Sequence, residues 1–162
     1  MKIGLDSSVL IASTKKEGEN FHDACVELSR LVKGNTTHEV ISSSLVLIEF
    51  RGGMASSTSA DEHVIRKRES EVRDNFDLKV MRFEDYVDKF HELVIAFREL
   101  KRRINIPSTD FYHLATCIQE GCDIFVTTDF KHLLTQETRK ALQQYIRIVD
   151  PTEAVAELKG GG

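Results

Sequence analysis

Strands alternating with helices along the chain predict an α/β fold, a three-layer α/β/α sandwich on a mostly parallel central sheet. Three observations lead there. Short apolar segments at Lys2-Ile3-Gly4-Leu5, Glu39-Val40-Ile41-Ser42 and Leu78 to Phe83 are each followed by apolar residues at helical spacing. Ile124-Phe125-Val126-Thr127-Thr128 is a continuous β-rich run, as in a strand covered on both faces. The 162 residues, 41% hydrophobic and 30% charged, suffice for one core, and nine Gly with two Pro exclude disorder and low complexity.

Taken in order, Lys2 to Leu5 reads as a strand closed by Asp6, with Ser7-Ser8 leading into a helix through Val9-Leu10-Ile11. From Asn20 to Lys33 the positions Phe21, Ala24, Cys25, Leu28, Leu31 and Val32 make an amphipathic helix that Gly34-Asn35 ends. After the strand Glu39 to Ser42, Ser43 or Ser44 can cap a helix carrying Leu45 to Phe50, which Gly52-Gly53 stops. Ala55 to Asp77 is polar and charged, an exposed helix or loop. The strand Leu78 to Phe83 leads to one long helix marked by Tyr86, Val87, Phe90, Leu93, Val94, Phe97 and Leu100. Past Pro107, Ser108 opens a helix with the apolar stripe Phe111, Leu114, Ala115 and Ile118, ended by Gly121. After the strand Ile124 to Thr128 come a helix near Thr138 to Gln144, a strand Tyr145 to Val149 and a short helix from Asp150-Pro151. Residues 1–158 are expected to form the single domain, and 159–162, closed by Gly160-Gly161-Gly162, a flexible tail.

Composition narrows the function classes. The apolar runs break well before the roughly 20 residues a bilayer span needs, so no membrane segment is expected. An acid as early as Asp6 argues against the apolar stretch of a signal peptide, so the protein is expected in the cytoplasm. Three cysteines, Cys25, Cys117 and Cys122, form neither a CxxC pair nor a disulfide framework. The six histidines share no short ligand spacing with one another, which argues against structural zinc. A net charge of -4 argues against coating nucleic acid by bulk charge.

Ligands of open parallel sheets bind at the carboxyl ends of the strands, and acids recur there. Asp6 follows the first strand, and its plain alternative is a helix N-cap. Glu49 sits one turn after Leu45 on an apolar helix face, and its plain alternative is a salt bridge to Arg51 or to a distant base. Asp110 lies in the first turn of its helix, where the dipole favours negative charge whatever the function. Asp129 follows the central strand and could cap the segment Phe130 to Leu134. None of these alternatives predicts four acids converging on one sheet edge. Clustered carboxylates repel one another, and hard oxygen donors select Mg²⁺ or Mn²⁺. Such a cation suits phosphodiester hydrolysis.

Four ordered stretches carry a resemblance that spans nearly the whole chain: Gly4-Leu5-Asp6-Ser7-Ser8-Val9-Leu10-Ile11, Ser44-Leu45-Val46-Leu47-Ile48-Glu49, Thr109-Asp110-Phe111-Tyr112-His113-Leu114-Ala115-Thr116 and Ile124-Phe125-Val126-Thr127-Thr128-Asp129-Phe130. Together they resemble the PIN domain, the small nuclease family that includes the VapC toxins of toxin–antitoxin pairs. The resemblance implies a metal-dependent ribonuclease in which Asp6, Glu49, Asp110 and Asp129 form the acidic quartet around Mg²⁺ or Mn²⁺. It also implies that Ser7 or Ser8 and Thr127 supply hydroxyls that hydrogen-bond those acids. The implied partners are an RNA substrate, a second copy in a homodimer and, for a toxin, an inhibitory antitoxin protein. The exposed sides of the helices before Gly53 and after Phe83 are the expected self-contact.

Ala55 to Asp77 is where such families vary. His113, one turn beyond Asp110, is read as a partly exposed helix histidine, and Cys117 as packing at the edge of the core. Arg66-Lys67-Arg68 and Arg98, Lys101, Arg102 and Arg103 are either phosphate contacts or solvated helix faces. A haloacid dehalogenase phosphatase would need a second Asp at Ser8, and a response regulator would need paired acids after the first strand and a Lys after the last. The remaining alternatives are a PIN-like module that binds RNA or protein without cutting and a stand-alone RNA-processing nuclease.

Overall fold

The computed structural model describes residues 1–15, 21–104 and 106–160, the side chains of residues 83, 84, 87, 89, 93, 96, 99, 100 and 101 excepted. Five strands, β1 (Lys2–Leu5), β2 (Glu39–Ser43), β3 (Leu78–Met81), β4 (Ile124–Val126) and β5 (Arg147–Val149), form one sheet in the order β3-β2-β1-β4-β5. Every neighbouring pair is parallel, with Gly4 in register with Ile41 on one side and Phe125 on the other. The two-residue period of a strand divides the apolar side chains between two cores. Ile3, Leu5, Val40, Ile124 and Val126 enter one, while Ile41, Phe125 and Ile148 enter the other.

The helices are α1 (Ser7–Thr14), α2 (His22–Val32), α3 (Leu45–Ser57), α4 (Glu62–Asn75), α5 (Val87–Ala96), α6 (Arg98–Ile104), α7 (Ser108–Gln119), α8 (Gln136–Leu142) and α9 (Pro151–Gly160). The first core takes Leu10 of α1, Leu28 of α2, Phe50 and Met54 of α3, Ile65 of α4 and Ala154 of α9. The opposite core takes Phe90 of α5, Ile104 of α6, Phe111 and Leu114 of α7 and Leu142 of α8. The result is the expected three-layer α/β/α sandwich. Among the described residues no helix is long and apolar enough to cross a membrane.

Where structure and expectation differ, packing supplies the reason. Helix α3 does not stop at Gly52-Gly53 but runs to Ser57, because Gly53 serves close packing: a Cβ there would come 2.6 Å from Ile11 Cδ1. Ser44 holds the N-cap position of α3 without a side-chain capping bond. The polar stretch from Ala55 contains the end of α3 and then α4, which Asp61 caps by accepting from the Val64 N–H at 2.9 Å. Ile65, Glu69 and Val72 are its buried face, at the spacing i, i+4, i+7. The middle position is a glutamate, so periodicity of apolar residues alone misses the stripe.

The single long helix expected after Phe83 is instead a 3₁₀ turn over Phe83–Tyr86 followed by α5 and α6. The side chains of Phe83, Val87, Leu93 and Leu100, and residue Asn20, lie outside those described. Strand β4 ends at Val126, leaving Thr127 and Thr128 beyond it, and β5 begins only at Arg147. Helix α9 continues through Lys159 and Gly160, both expected in a flexible tail; Gly161 and Gly162 lie outside the described residues.

The chain leaves β1 toward β2 and later adds β4 on the other side of β1. Such a reversal of strand order opens a crevice between the carboxyl ends of the two strands. Asp6 ends β1 there, and Thr127 to Asp129 leave β4 there.

Candidate active site

Asp6 is 4% exposed, and its N–H donates to the Val126 carbonyl at 3.0 Å, which ties the ends of β1 and β4 together. Asp6 holds the N-cap position of α1, but its side chain makes no helix-capping bond. Instead Oδ2 accepts from Ser8 Oγ and Thr127 Oγ1, both at 2.7 Å, and Oδ1 accepts from Ser7 Oγ at 3.4 Å. A buried carboxylate is tolerated only with such donors. The same hydroxyls accept in turn: Thr128 N–H donates to Ser8 Oγ at 3.1 Å and Asp129 N–H to Thr127 Oγ1 at 3.1 Å. Ser7, Ser8 and Thr127 thus hydrogen-bond Asp6 and hold the two strand exits in one network.

Glu49 does not pair with Arg51, which instead makes a two-pronged ion pair with the buried Glu69, Arg51 Nη2 lying 3.1 Å from Glu69 Oε1. Glu49 Oε2 lies 2.7 Å from His113 Nε2, and His113 Nδ1 lies 2.7 Å from Ser43 Oγ. His113 is fully buried, which corrects its reading as a partly exposed helix residue. An ionised carboxylate can only accept, so Nε2 carries the hydrogen of this bond. Burial acts to raise the Glu49 pKa, but the His113 bond and the Ser7 and Thr109 hydroxyls outweigh it and hold Glu49 below its ordinary value. Burial likewise acts to lower the His113 pKa, and the Glu49 bond with the charges of Asp6, Glu49 and Asp110 outweighs it, so the imidazole sits above its ordinary value.

Asp129 does cap the turn after β4: Oδ1 accepts from the N–H groups of Lys131 at 2.8 Å and His132 at 3.2 Å. Its other oxygen, Oδ2, lies 3.0 Å from His132 Nδ1. Asp110 stands in the first turn of α7 as expected. Its pKa is raised to about 6, first by burial and then by the charges of Asp6, Asp129 and Glu49. Beyond burial, three other acids therefore press on this one side chain.

Donor atoms of Asp6, Glu49 and His113 lie within 4.8 Å of one another, and so do those of Asp110, Asp129 and His132. The four acids named by sequence fall into two groups, Asp6 with Glu49 and Asp110 with Asp129, each with one histidine, and Asp110 feels the charge of the other three. Oxygen-rich donors under mutual repulsion fit a hard divalent cation. His132 was missed, although its i+3 spacing from Asp129 was a usable signal. Cys117 is buried rather than at the core edge, and a Cβ on Gly4 would come 2.5 Å from its Sγ.

The basic runs are engaged in part. Arg66 pairs with Glu62 at 2.6 Å, Lys67 with Glu71 at 3.9 Å and Arg103 with Glu137 at 3.9 Å. The side chain of Lys101 lies outside those described.

Comparison with solved structures finds the same fold in a chain of the VapBC2 complex of Rickettsia felis, crystallised on a DNA fragment from its promoter. The TM-score is 0.60 at 13% identity, covering 93% of this chain and 98% of that one. No curated protein matches the sequence. The family model of the PIN domain matches residues 3–136, from the start of β1 through the acid after β4 to the start of α8. The chain belongs to the PIN domain family, a family of nucleases.

Proposed function

We propose that this chain is a Mg²⁺- or Mn²⁺-dependent endoribonuclease that hydrolyses RNA phosphodiester bonds at Asp6, Glu49, Asp110 and Asp129, acting as the toxin of a toxin–antitoxin pair. The observation that carries the reading is the pair of donor groups at the carboxyl ends of β1 and β4, Asp6 with Glu49 and Asp110 with Asp129, near enough that the charges of Asp6, Asp129 and Glu49 add to burial in raising the pKa of Asp110. These carboxylates would hold the cation, with Ser7, Ser8 and Thr127 in support. When bound, the cation stabilises charge on the phosphate and lowers the pKa of an attacking water.

The chain's own groups then have separable tasks. Asp6, held by two hydroxyls on one oxygen, cannot swing away from the crevice. Asp110 is ionised only above about pH 6, so its negative charge is available at neutral pH and fades below it. Glu49 is held through one oxygen by His113, which orients the other.

The proposed setting is the cytoplasm, where the buried Cys25, Cys117 and Cys122 remain reduced. Self-association is proposed through α3 and α5, whose Ile48 and Ile95 are 66% and 59% exposed. Sedimentation showing only monomer at micromolar concentration removes the dimer. An antitoxin protein is the proposed inhibitory partner.

The test of activity is direct. Purified protein should cut single-stranded RNA with Mg²⁺ or Mn²⁺ and stop when chelator is added. RNA bound tightly but left intact at millimolar metal would make the chain a binding module instead.

A further inference from the structure

We propose that the rings of Phe21 and Phe130 form a stacking platform for a nucleobase of the single-stranded RNA whose backbone enters the acidic crevice, an inference that rests on the nuclease reading above. Phe130 follows Asp129 directly and is 56% exposed, one residue from a carboxylate of the cluster. Its ring stacks on Phe21 with centroids 5.4 Å apart and planes inclined by 24°. Phe21 is itself half-buried against the core, so it backs the outer ring with a fixed surface.

The backbone brings the pair together in an unusual way. Phe21 adopts a left-handed conformation, φ 70 and ψ 8, which bulky side chains rarely take. Next to it His22 Nδ1 donates to the Ala12 carbonyl at 2.8 Å, which fastens the start of α2 to α1. The ring of Phe21 is thereby held beside the exit of β4.

A nucleobase suits this surface better than an apolar protein segment. Phe130 stands between Asp129 and the exposed Lys131, so the apolar area is one flat ring flanked by charge. A stacked base is planar and uncharged and meets no repulsion from the carboxylates, while Lys131 can meet a phosphate of the same strand. Aromatic stacking of this kind accepts any base and favours single strands over duplexes.

The chain contains no tryptophan, so Phe130→Trp supplies a unique fluorophore at the platform. The probe is a mixed-sequence single-stranded RNA of about ten nucleotides, in chelator and low salt so that it is bound but not cut. Its binding should quench the Phe130→Trp emission, whereas the matching abasic strand should not. Anisotropy titrations should show a loss of affinity of about five-fold or more for Phe130→Ala and Phe130→Leu, with Phe130→Tyr within about two-fold of the unmodified chain.

Unchanged emission at saturating RNA, or full affinity in Phe130→Ala with an unaltered melting profile, overturns the platform while metal-dependent cleavage by the unmodified chain still stands. If the unmodified chain neither binds nor cuts RNA, the nuclease reading fails and the platform with it. Weakened self-association of Phe130→Ala with unchanged RNA affinity assigns the rings to a protein contact and likewise overturns the proposal.

Discussion

His113 Nε2 lies 2.7 Å from Glu49 Oε2, and the ring's other nitrogen is 2.7 Å from Ser43 Oγ, so a fully buried imidazole joins the end of β2 to the helix that carries Glu49. Partners of this kind orient a ligating carboxylate, and their loss typically costs 10- to 100-fold in metal affinity. His113→Leu should therefore weaken Mn²⁺ binding by at least about ten-fold in calorimetric titration. It should also destabilise the fold by about 1–3 kcal/mol, since Ser43 and Glu49 lose a partner. Unchanged Mn²⁺ affinity in a folded variant would separate His113 from the site.

The raised pKa of Asp110 makes stability depend on pH in a defined direction. Between its ordinary value of 3.8 and about 6 the folded chain binds this proton more tightly than the unfolded chain. Stability from this group is therefore present at low pH and lost as pH rises through about 6. In chelator, the stability of the unmodified chain relative to Asp110→Asn should fall by about 1–2 kcal/mol from pH 4 to 7, allowing for partial solvent screening. Chemical denaturation at several pH values measures it, and a difference that grows with pH would contradict the clustered charges.

Two glycines give opposite expectations. A Cβ on Gly4 would come 2.5 Å from Cys117 Sγ and 3.0 Å from Phe125 Cδ2, both buried, so Gly4→Ala should lower stability by about 1–3 kcal/mol. Gly52 lies within α3 with nothing near its missing Cβ, so Gly52→Ala should raise stability by about 0.5–1 kcal/mol. Thermal melts of the two variants should move in opposite directions.

Glu69, in the buried face of α4, is paired with Arg51, which reaches it from α3. Arg51→Met leaves that carboxylate without its partner and should cost about 1–3 kcal/mol. Adding Glu69→Leu should recover most of the loss, by denaturant titration. A double variant no more stable than Arg51→Met would show that the pair is not what fixes α4.

The same pair explains where sequence reading stopped short. The strands were legible because Ile3, Val40 and Ile124 sit in apolar bursts closed by polar residues, and Asp6 and Asp129 because each directly follows such a burst. Helix α4 was hidden by Glu69, a charge whose burial depends on a residue 18 positions away. The extent of α3 was hidden by Gly53, which looks like a stop signal in one dimension and is a contact with Ile11 in three. His113 was undervalued because neither Ser43, 70 positions away, nor Glu49, 64 positions away, is near it in sequence.

The central claim, one shared acidic site that cuts RNA, is tested most directly by single acid-to-amide variants. An amide keeps the shape of the carboxylate and removes the charge that binds the cation and activates water. Asp6→Asn, Glu49→Gln, Asp110→Asn and Asp129→Asn should each lose most cleavage of single-stranded RNA at matched Mg²⁺ while keeping the folded spectrum. Glu137→Gln, on the exposed part of α8 and paired only loosely with Arg103 at 3.9 Å, should cut at nearly the unmodified rate. Full cleavage by both Asp110→Asn and Asp129→Asn, abolished in each by chelator, would contradict the four-acid site even with the PIN fold intact.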